Sequence, residues 1–262
     1  GADVQNDSNE AGVQLQQGKH EHDALGRELE SLRSRKSNIP HEQVALRERL
    51  CAALGIDEQE VPFAGELLQV RDGERAWLGS AERVMRSFGL AFLVADDRYT
   101  EVQAWVDSTN LRHRFVYFRV RDDARGAPVD LQPQWLASKI EVQPGTRWRR
   151  WLHGELARRF DYICCDTPEQ FRRERRALTL AGQTKGGDER HEKDDRLHIN
   201  DRSRDVLGWS NADKIAAIVS LTTRTLLSNE PCVASTARGP ALTVRALTSE
   251  SPAPGAGVPR SA

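Results

Sequence analysis

From Leu25 the chain places apolar residues at three- and four-residue steps. Leu25, Leu29, Leu32 and Ile39 fall on successive a and d positions of one heptad frame, with Lys36 as the polar exception; Val4 and Leu15 extend the frame toward the N-terminus. Charges fill the flanks, as in ELESLRSRK. The spacing predicts helix over roughly the first 55 residues. Two readings fit it: one strand of a coiled coil, or a single amphipathic surface helix. Ser8, Gly18 and His22 interrupt the seam early. Asn38-Ile39-Pro40 breaks the helix, because Pro40 has no N–H and biases Ile39 toward extended backbone. A second helix, HEQVALRERLCAAL, follows with Gly55 as its C-terminal cap.

The pattern changes at Pro62. GELLQV (Gly65–Val70) suits a strand, RDGERA a turn, and Trp77 to Phe88 an amphipathic helix with Trp77, Ala81, Val84, Met85 and Phe88 on one face. LAFLV is continuously apolar, as a strand covered on both faces is; ADD turns the chain. Tyr99 to Val106 reads as helix with Val102, Trp105 and Val106 inward, and RFVYFRV (Arg114–Val120) as strand. This strand–helix–strand rhythm predicts an α/β layer. The expected core is Leu67, Val70, Trp77, Val84, Phe88, Leu90, Phe92, Val94, Trp105, Phe115, Val116 and Phe118.

Residues 121–134 read as loop, WLASKIEV as a short helix or strand, and QPGT as a turn. Trp148 to Phe160 is helical with Trp148, Trp151, Leu152, Leu156 and Phe160 apolar. Thr167 and Pro168 open another helix as cap and first residue, predicted to run through FRRERRALTLA. GQTKGGDERHEKDDR (Gly182–Arg196) reads as a polar, glycine-hinged connector. A last helix is capped by Ser210 or Asn211. From Leu221 onward there is no aromatic residue, lysine or aspartate, and a Ser/Thr/Ala/Pro/Gly tail of this kind is expected to be disordered.

Composition sharpens this picture. Hydrophobic residues make up 38% of the 262 and charged residues 29%, yet the net charge is only -1. Mean hydropathy is -0.63. Dense charges of both signs with little net charge suit exposed helices, so the core is confined to part of the chain. Cys51, Cys164, Cys165 and Cys232 form no CxxC pair, and reduced thiols in a cytoplasmic setting are expected. No apolar run is long enough for a membrane span, and the N-terminus has no signal-peptide core. The chain begins at Gly1 and its only methionine is Met85, so it is expected to be a fragment or a processed piece.

Catalytic chemistry finds little support. AGQTKGGD has its lysine before the glycine pair and no Ser/Thr after it, unlike a phosphate loop. His191, Asp194, Asp195 and His198 match no common metal spacing, and no GxSxG elbow is present. No catalytic, cofactor-binding or metal residue is assigned. Nucleic-acid contact is the functional candidate. Between Arg147 and Arg176 nine arginines (147, 149, 150, 158, 159, 172, 173, 175, 176) face five acids, with Trp148, Trp151, Phe160 and Phe171 interleaved. Arg147, Arg149, Arg150, Arg172, Arg173, Arg175 and Arg176 are the DNA-contact candidates, extended by Lys185 and Lys193. An ordinary solvated face with pairs such as Glu169 with Arg173 is the competing reading.

The block from Phe63 to Val120 resembles one half of an SMC hinge. Its parts come in the same order: a glycine-led strand, an aromatic-led helix with Ala81-Glu82, a Phe88-Gly89 turn, an apolar strand, an Asp-Asp turn, a helix and a closing strand. RSRKSNIP, VPFAGELLQV, GQTKGGDERHEKDDR and VLGW resemble the central region of MukB-like ATPases of bacterial plasmid-defence condensins, the JetC subunits of Wadjet systems, over residues 25–218. The resemblance implies an α/β (α+β) hinge-like domain: a coiled-coil arm at 1–58, a hinge half at 59–120, a helix-rich second half with the start of the return helix at 121–220, and a disordered or frameshifted tail at 221–262. It implies a homodimer through the hinge, DNA and kleisin-like and accessory condensin subunits as partners of the longer protein, and a nucleoid-associated location. ATP and Mg would belong to heads that this sequence lacks, since it has no Walker A or Walker B segment. The paired glycines of a usual hinge dimer are not evident, and the residues after Ala217 do not continue a heptad strand.

Overall fold

The computed structural model describes residues 2–112, 114–121 and 130–228. Helix α1 (Ala2–Ser34) and helix α2 (His41–Leu54) meet at a corner where Pro40 immediately precedes α2. Gly55 closes α2 in the left-handed region (φ 67°), which favours glycine, and its N–H donates to the Cys51 carbonyl.

The body is built twice. The first copy begins with a bridge between Phe63 and Phe92 and a 3-10 turn at Ala64–Leu67. There follow β1 (Leu68–Val70), a 3-10 turn at Asp72–Trp77, α3 (Leu78–Gly89), β2 (Phe92–Ala95), α4 (Tyr99–Ser108) and β3 (Tyr117–Val120). The second copy begins with a bridge between Trp135 and Ile163 and a 3-10 turn at Leu136–Lys139. It continues through β4 (Ile140–Val142), α5 (Arg149–Arg159), β5 (Ile163–Cys165), α6 (Pro168–Arg173) and β6 (Arg176–Thr179). Hydrogen bonds repeat with the elements. Ala64 and Leu93 donate to the carbonyls of Ala91 and Pro62; Leu136 and Cys164 donate to those of Tyr162 and Gln134. Trp77 and Trp148 precede their helices with nearly the same backbone angles, φ −88°, ψ −1° and φ −79°, ψ −5°. In each copy a helix crosses between parallel neighbours, β2 with β3 and β5 with β6.

The copies meet through β1 and β4, paired antiparallel with Leu68 opposite Val142. Arg71 N–H donates to Lys139 O and Gln143 N–H to Leu67 O, so equivalent residues exchange equivalent bonds, as about an approximate two-fold axis. One core runs through both copies, and Phe88 of the first contacts Trp151 and Phe160 of the second. The mixed α+β architecture agrees with the sequence-based expectation. Of the expected core, Leu67, Val70, Trp77, Phe88, Phe92 and Val94 are buried, whereas Val84, Leu90, Trp105, Phe115, Val116 and Phe118 are half-buried at its edge. WLASKIEV is both of the predicted alternatives, a 3-10 turn and then a strand.

Three readings are corrected. The helix begun by Thr167, whose side chain accepts from Gln170 N–H, ends at Arg173, and Arg176–Thr179 forms a strand buried at Ala177 and Leu178. Gly182–Arg196 is not a bare connector: β7 (Thr184–Gly186) and β8 (His191–Glu192) form a hairpin that completes a four-stranded sheet in the order β5-β6-β7-β8. Last, α7 spans Ala212–Ser228, so helix continues past the tail boundary at 221; residues 229–262, which hold the rest of the expected tail, lie outside the described residues. The same holds for residues 122–129 of the expected loop.

Gly65 lets the chain cross itself. A Cβ there would stand 2.5 Å from the Val206 carbonyl oxygen and 3.0 Å from that of Gly89, both backbone atoms. Gly65→Ala is therefore expected to lower stability by about 1–3 kcal/mol. Gly12→Ala, in open space on α1, is expected to raise it by about 0.5–1 kcal/mol. Urea denaturation of the two variants checks the contrast; equal effects at both glycines would contradict the crossing.

Candidate functional site: the arm root and two arginine surfaces

Helices α1 and α7 are antiparallel neighbours. The Asn211 side-chain amide donates to the carbonyls of Leu32 and Arg35, both at 2.7 Å, while three residues later Lys214 Nζ lies 3.1 Å from Glu28. Rising numbers on one helix thus meet falling numbers on the other. Lys214 is 2% exposed, and it also donates to the Asn38 carbonyl at 2.6 Å. Glu28 accepts from the His41 backbone N–H at 2.7 Å, and the His41 ring nitrogen lies 3.0 Å away. The Asn38 side chain donates to Leu207 O and Ser210 O. A buried polar cluster of this kind is stable only when its members satisfy one another. Burial raises the Glu28 carboxyl, but Lys214 and the His41 amide outweigh it and hold the group below its ordinary range. Burial pulls the Lys214 ammonium down.

The segment after this root is held by the first copy. Both oxygens of Glu82 accept backbone N–H bonds, from Val206 and Leu207, each at 2.9 Å. Gly208 N–H donates to Gly65 O and Leu68 O. Burial, and then the neighbouring Asp205, push the Glu82 carboxyl up to about 8 even though the two amides pull it down. A cavity of about 570 Å³ lies between α3 and residues 194–205. Four of its arginines are engaged: Arg83 pairs with Asp195 and donates to Leu197 O, Arg196 pairs with Asp194, Arg202 pairs with Asp205, and Arg86 donates to Arg204 O.

The arginine candidates separate into two places. Arg147, Arg149 and Arg150 stand at the start of α5, whereas Arg172, Arg173, Arg175 and Arg176 follow its far end, where Arg176 donates to Arg159 O. Eleven helical residues put about 16 Å between them. At the far end acids answer most of the cations: Arg172 meets Glu169 at 2.6 Å, Arg175 meets Asp188 at 3.6 Å and Arg176 meets Asp161 at 2.8 Å. Lys193 pairs with Asp195 at 2.7 Å. Lys185 corrects the sequence reading. It is 6% exposed and its ammonium donates to the Arg172 carbonyl, so it ties β7 to α6 and offers nothing to a phosphate.

At the near end Arg147 lies over the Trp148 ring at 4.8 Å, and Arg71 donates to Ser138 O; among the described residues neither these two nor Arg149 has an acid partner. The His153 imidazole is pulled below its ordinary value by burial, then by Arg149 and Arg71. Arg71, 76 positions before Arg147 in the chain, was not among the sequence candidates. Only the β1–β4 pairing under α5 brings it there.

Among the described residues the cysteines provide no reactive thiolate. Burial pushes the Cys51 thiol up to about 11 and the Cys164 thiol up to about 12, and Cys165 is buried as well. Among the described residues no group of three or more His, Cys, Asp or Glu could hold a metal ion, and no helix is long and apolar enough to cross a membrane.

No protein-family model and no curated protein sequence matches the chain. Among solved structures it is similar to the folded elbow of cohesin, at 16% identity and TM-score 0.46, over 82% of this chain and 31% of that one. It is similar to the Pyrococcus furiosus Smc hinge domain with an extended coiled coil, at 14% identity and TM-score 0.43, over 87% and 81%. It is also similar to the Geobacillus stearothermophilus SMC hinge domain, solved as an asymmetric dimer, at 13% identity and TM-score 0.44, over 86% and 90%. The chain thus spans about a third of the cohesin structure's chain and most of the two hinge structures' chains.

Proposed function

We propose that this chain is the hinge segment of an SMC-like DNA motor and that it dimerises. The supporting observation is the arm root. Helix α1 leads into a two-copy body, α7 leads out antiparallel beside it, and Glu28, Asn38, Asn211 and Lys214 lock both into one buried cluster. Three of the motifs that carry the family resemblance converge there. Asn38 of RSRKSNIP donates to Leu207 of VLGW, and Gly208 of VLGW donates to Gly65 of VPFAGELLQV. A body that receives two antiparallel helices at one point suits the end of a folded coiled-coil arm.

Sedimentation of the whole chain tests the reading. A concentration-dependent dimer in the micromolar range is expected; a chain that stays monomeric throughout that range overturns it. The wider proposal places ATP and Mg at heads of a longer protein, with kleisin-like and accessory subunits, in an anti-plasmid role on nucleoid DNA. This chain has no Walker segment, so ATP and Mg do not fit its residues. Coding sequence on either side tests that proposal: ATPase head motifs support it, and open reading frames without them sink it.

A second reading, sequence-independent nucleic-acid binding, is favoured by Arg147 and Arg149, which have no acid partner among the described residues.

A further inference from the structure

Between β8 and α7 the chain lies across the first copy as a strap, residues 197–207. A Cβ on Gly79 would stand 2.3 Å from the Ile199 carbonyl oxygen, so the strap runs against the backbone of α3. Its fastenings are polar. Arg83 and Arg86 of α3 donate to the carbonyls of Leu197 and Arg204, and Glu82 accepts from the amides of Val206 and Leu207. Full burial is confined to its end: Val206 and Leu207 are buried, whereas Leu197, His198, Asn200 and Arg204 are exposed. The cavity of about 570 Å³ lies beneath it, and Glu82 and Asp205 form part of its wall. A segment held mainly by polar contacts over a cavity has low local stability and opens before the rest of the fold.

Two carboxyl groups meet where the strap is seated. Glu82 grips the amides of residues 206 and 207, Asp205 is the residue just before them, and each acid is only 7% exposed. Asp205 has Arg202 at 3.6 Å, within the strap itself. Among the described residues no cation pairs with Glu82. Arg86, which acts on it from α3, gives a donor to the Arg204 carbonyl. Lys214 of α7, which acts on Asp205, is held by Glu28 and the Asn38 carbonyl. Asp201 of the strap and Asp213 of α7 add negative charge. Around the cavity Glu192 and Asp194 pair with Arg190 and Arg196, and the His198 ring accepts from the Asn200 N–H.

Two buried acids so placed do not both ionise without cost. Burial, and then Asp205, raise the Glu82 carboxyl; the two amides favour its ionised form but are outweighed. Burial raises Asp205 against the pull of Arg202 and Lys214. Opening the strap admits water to both groups and relieves the cost. The closed strap therefore holds its protons more tightly than the open one. Closure is fully favoured below the ordinary carboxylate range and weakens as pH rises toward the raised value of Glu82.

We infer that residues 197–207 form a proton-linked clasp: while the Glu82–Asp205 pair holds a proton the strap stays on α3, and with both carboxyls ionised it opens, leaving Gly208 and the Lys214 cluster in place. This device is internal to the chain and does not rest on either functional reading above.

Hydrogen exchange of the whole chain, read by mass spectrometry from pH 6 to pH 8 and corrected for the intrinsic rate at each pH, tests it. Peptides covering 197–207 are expected to be at least roughly tenfold less protected than β2 at every pH. Their protection should fall by roughly tenfold or more over the range. Low urea should speed exchange in β2 and leave the strap nearly unchanged, since a local opening exposes little surface. Glu82→Gln, which cannot ionise, should flatten the pH slope whatever its starting level, and Asp205→Asn, which removes the like charge, should lessen it. Circular dichroism confirms that both variants fold. A strap that exchanges at the rate of β2 opens only with the whole protein, and the clasp is overturned. Protection independent of pH, or a slope unchanged in Glu82→Gln, overturns it equally.

Discussion

Lys214→Met is expected to lower the unfolding free energy by about 3–5 kcal/mol, the largest loss of any single change at the arm root. The side chain is 2% exposed, so methionine replaces its bulk while removing its charge and its donors. Two groups then lose a partner. The Asn38 carbonyl loses a 2.6 Å bond in a buried setting, and Glu28 loses the cation that most lowers its pKa. A buried carboxylate left with only the His41 contacts and Arg35 at 3.6 Å is less well compensated, so Glu28→Gln added to Lys214→Met should restore part of the loss. Urea denaturation of the two single variants and the double variant at neutral pH measures this; additive losses would show that the residues do not act as a pair. The unaltered protein adds a pH signature. Glu28 is held below the ordinary carboxylate range, so its contribution is complete above that range and is lost as pH falls through the lowered value.

Glu82→Ala is expected to cost about 3 kcal/mol. Each of two buried amides, Val206 and Leu207, loses its acceptor, and an unmet buried donor costs about 1–3 kcal/mol. The pH dependence of this site runs opposite to that of Glu28. Burial and Asp205 raise Glu82 to about 8, so the folded protein holds this proton more tightly than the unfolded chain. Its stabilisation is complete below the ordinary carboxylate range and is lost as pH rises toward about 8. The melting temperature should fall from pH 5 to pH 8, and Glu82→Gln, which cannot ionise, should flatten that slope. An unchanged slope in the glutamine variant would assign the pH dependence to other groups.

These two residues mark where sequence reading reached and where it stopped. Helix α3 and strand β2 were legible because local pattern and tertiary role coincide: Ala81, Met85 and Phe88 share one helix face, and Phe92–Ala95 is apolar and buried throughout. Thr167-Pro168 announced its helix through capping chemistry alone. Glu82 and Lys214, by contrast, look like ordinary surface charges in helical sequence. Only residues more than 100 positions away, Val206 for one and Asn38 for the other, make them interior groups. The hairpin β7–β8 was missed because its second strand, His191–Glu192, is exposed and shows no apolar alternation. The doubling of the fold was illegible for a related reason. Many equivalent positions carry unlike residues, such as Leu93 with Cys164, and matches such as Trp77 with Trp148 are too few to show the repeat, which the hydrogen bonds reveal. Of the arginine candidates, the sequence shows the density but not the pairing that gives Arg172, Arg175 and Arg176 acid partners.

The asymmetry of the root has a mechanical meaning. Between Arg204 and Lys214 the chain is fastened to Arg86, Glu82, Gly65, Leu68 and Arg75 of the first copy, and to the corner at Asn38. A torque carried down α1 and α7 would enter the first copy directly. It would reach the second through the three-pair β1–β4 ladder, the aromatic contacts of Phe88, the Glu74–Lys139 ion pair and the bonds from the Ser80 hydroxyl to the Thr179 and Leu180 carbonyls. One half of the body is the lever's mount, and the other is driven through the seam between them.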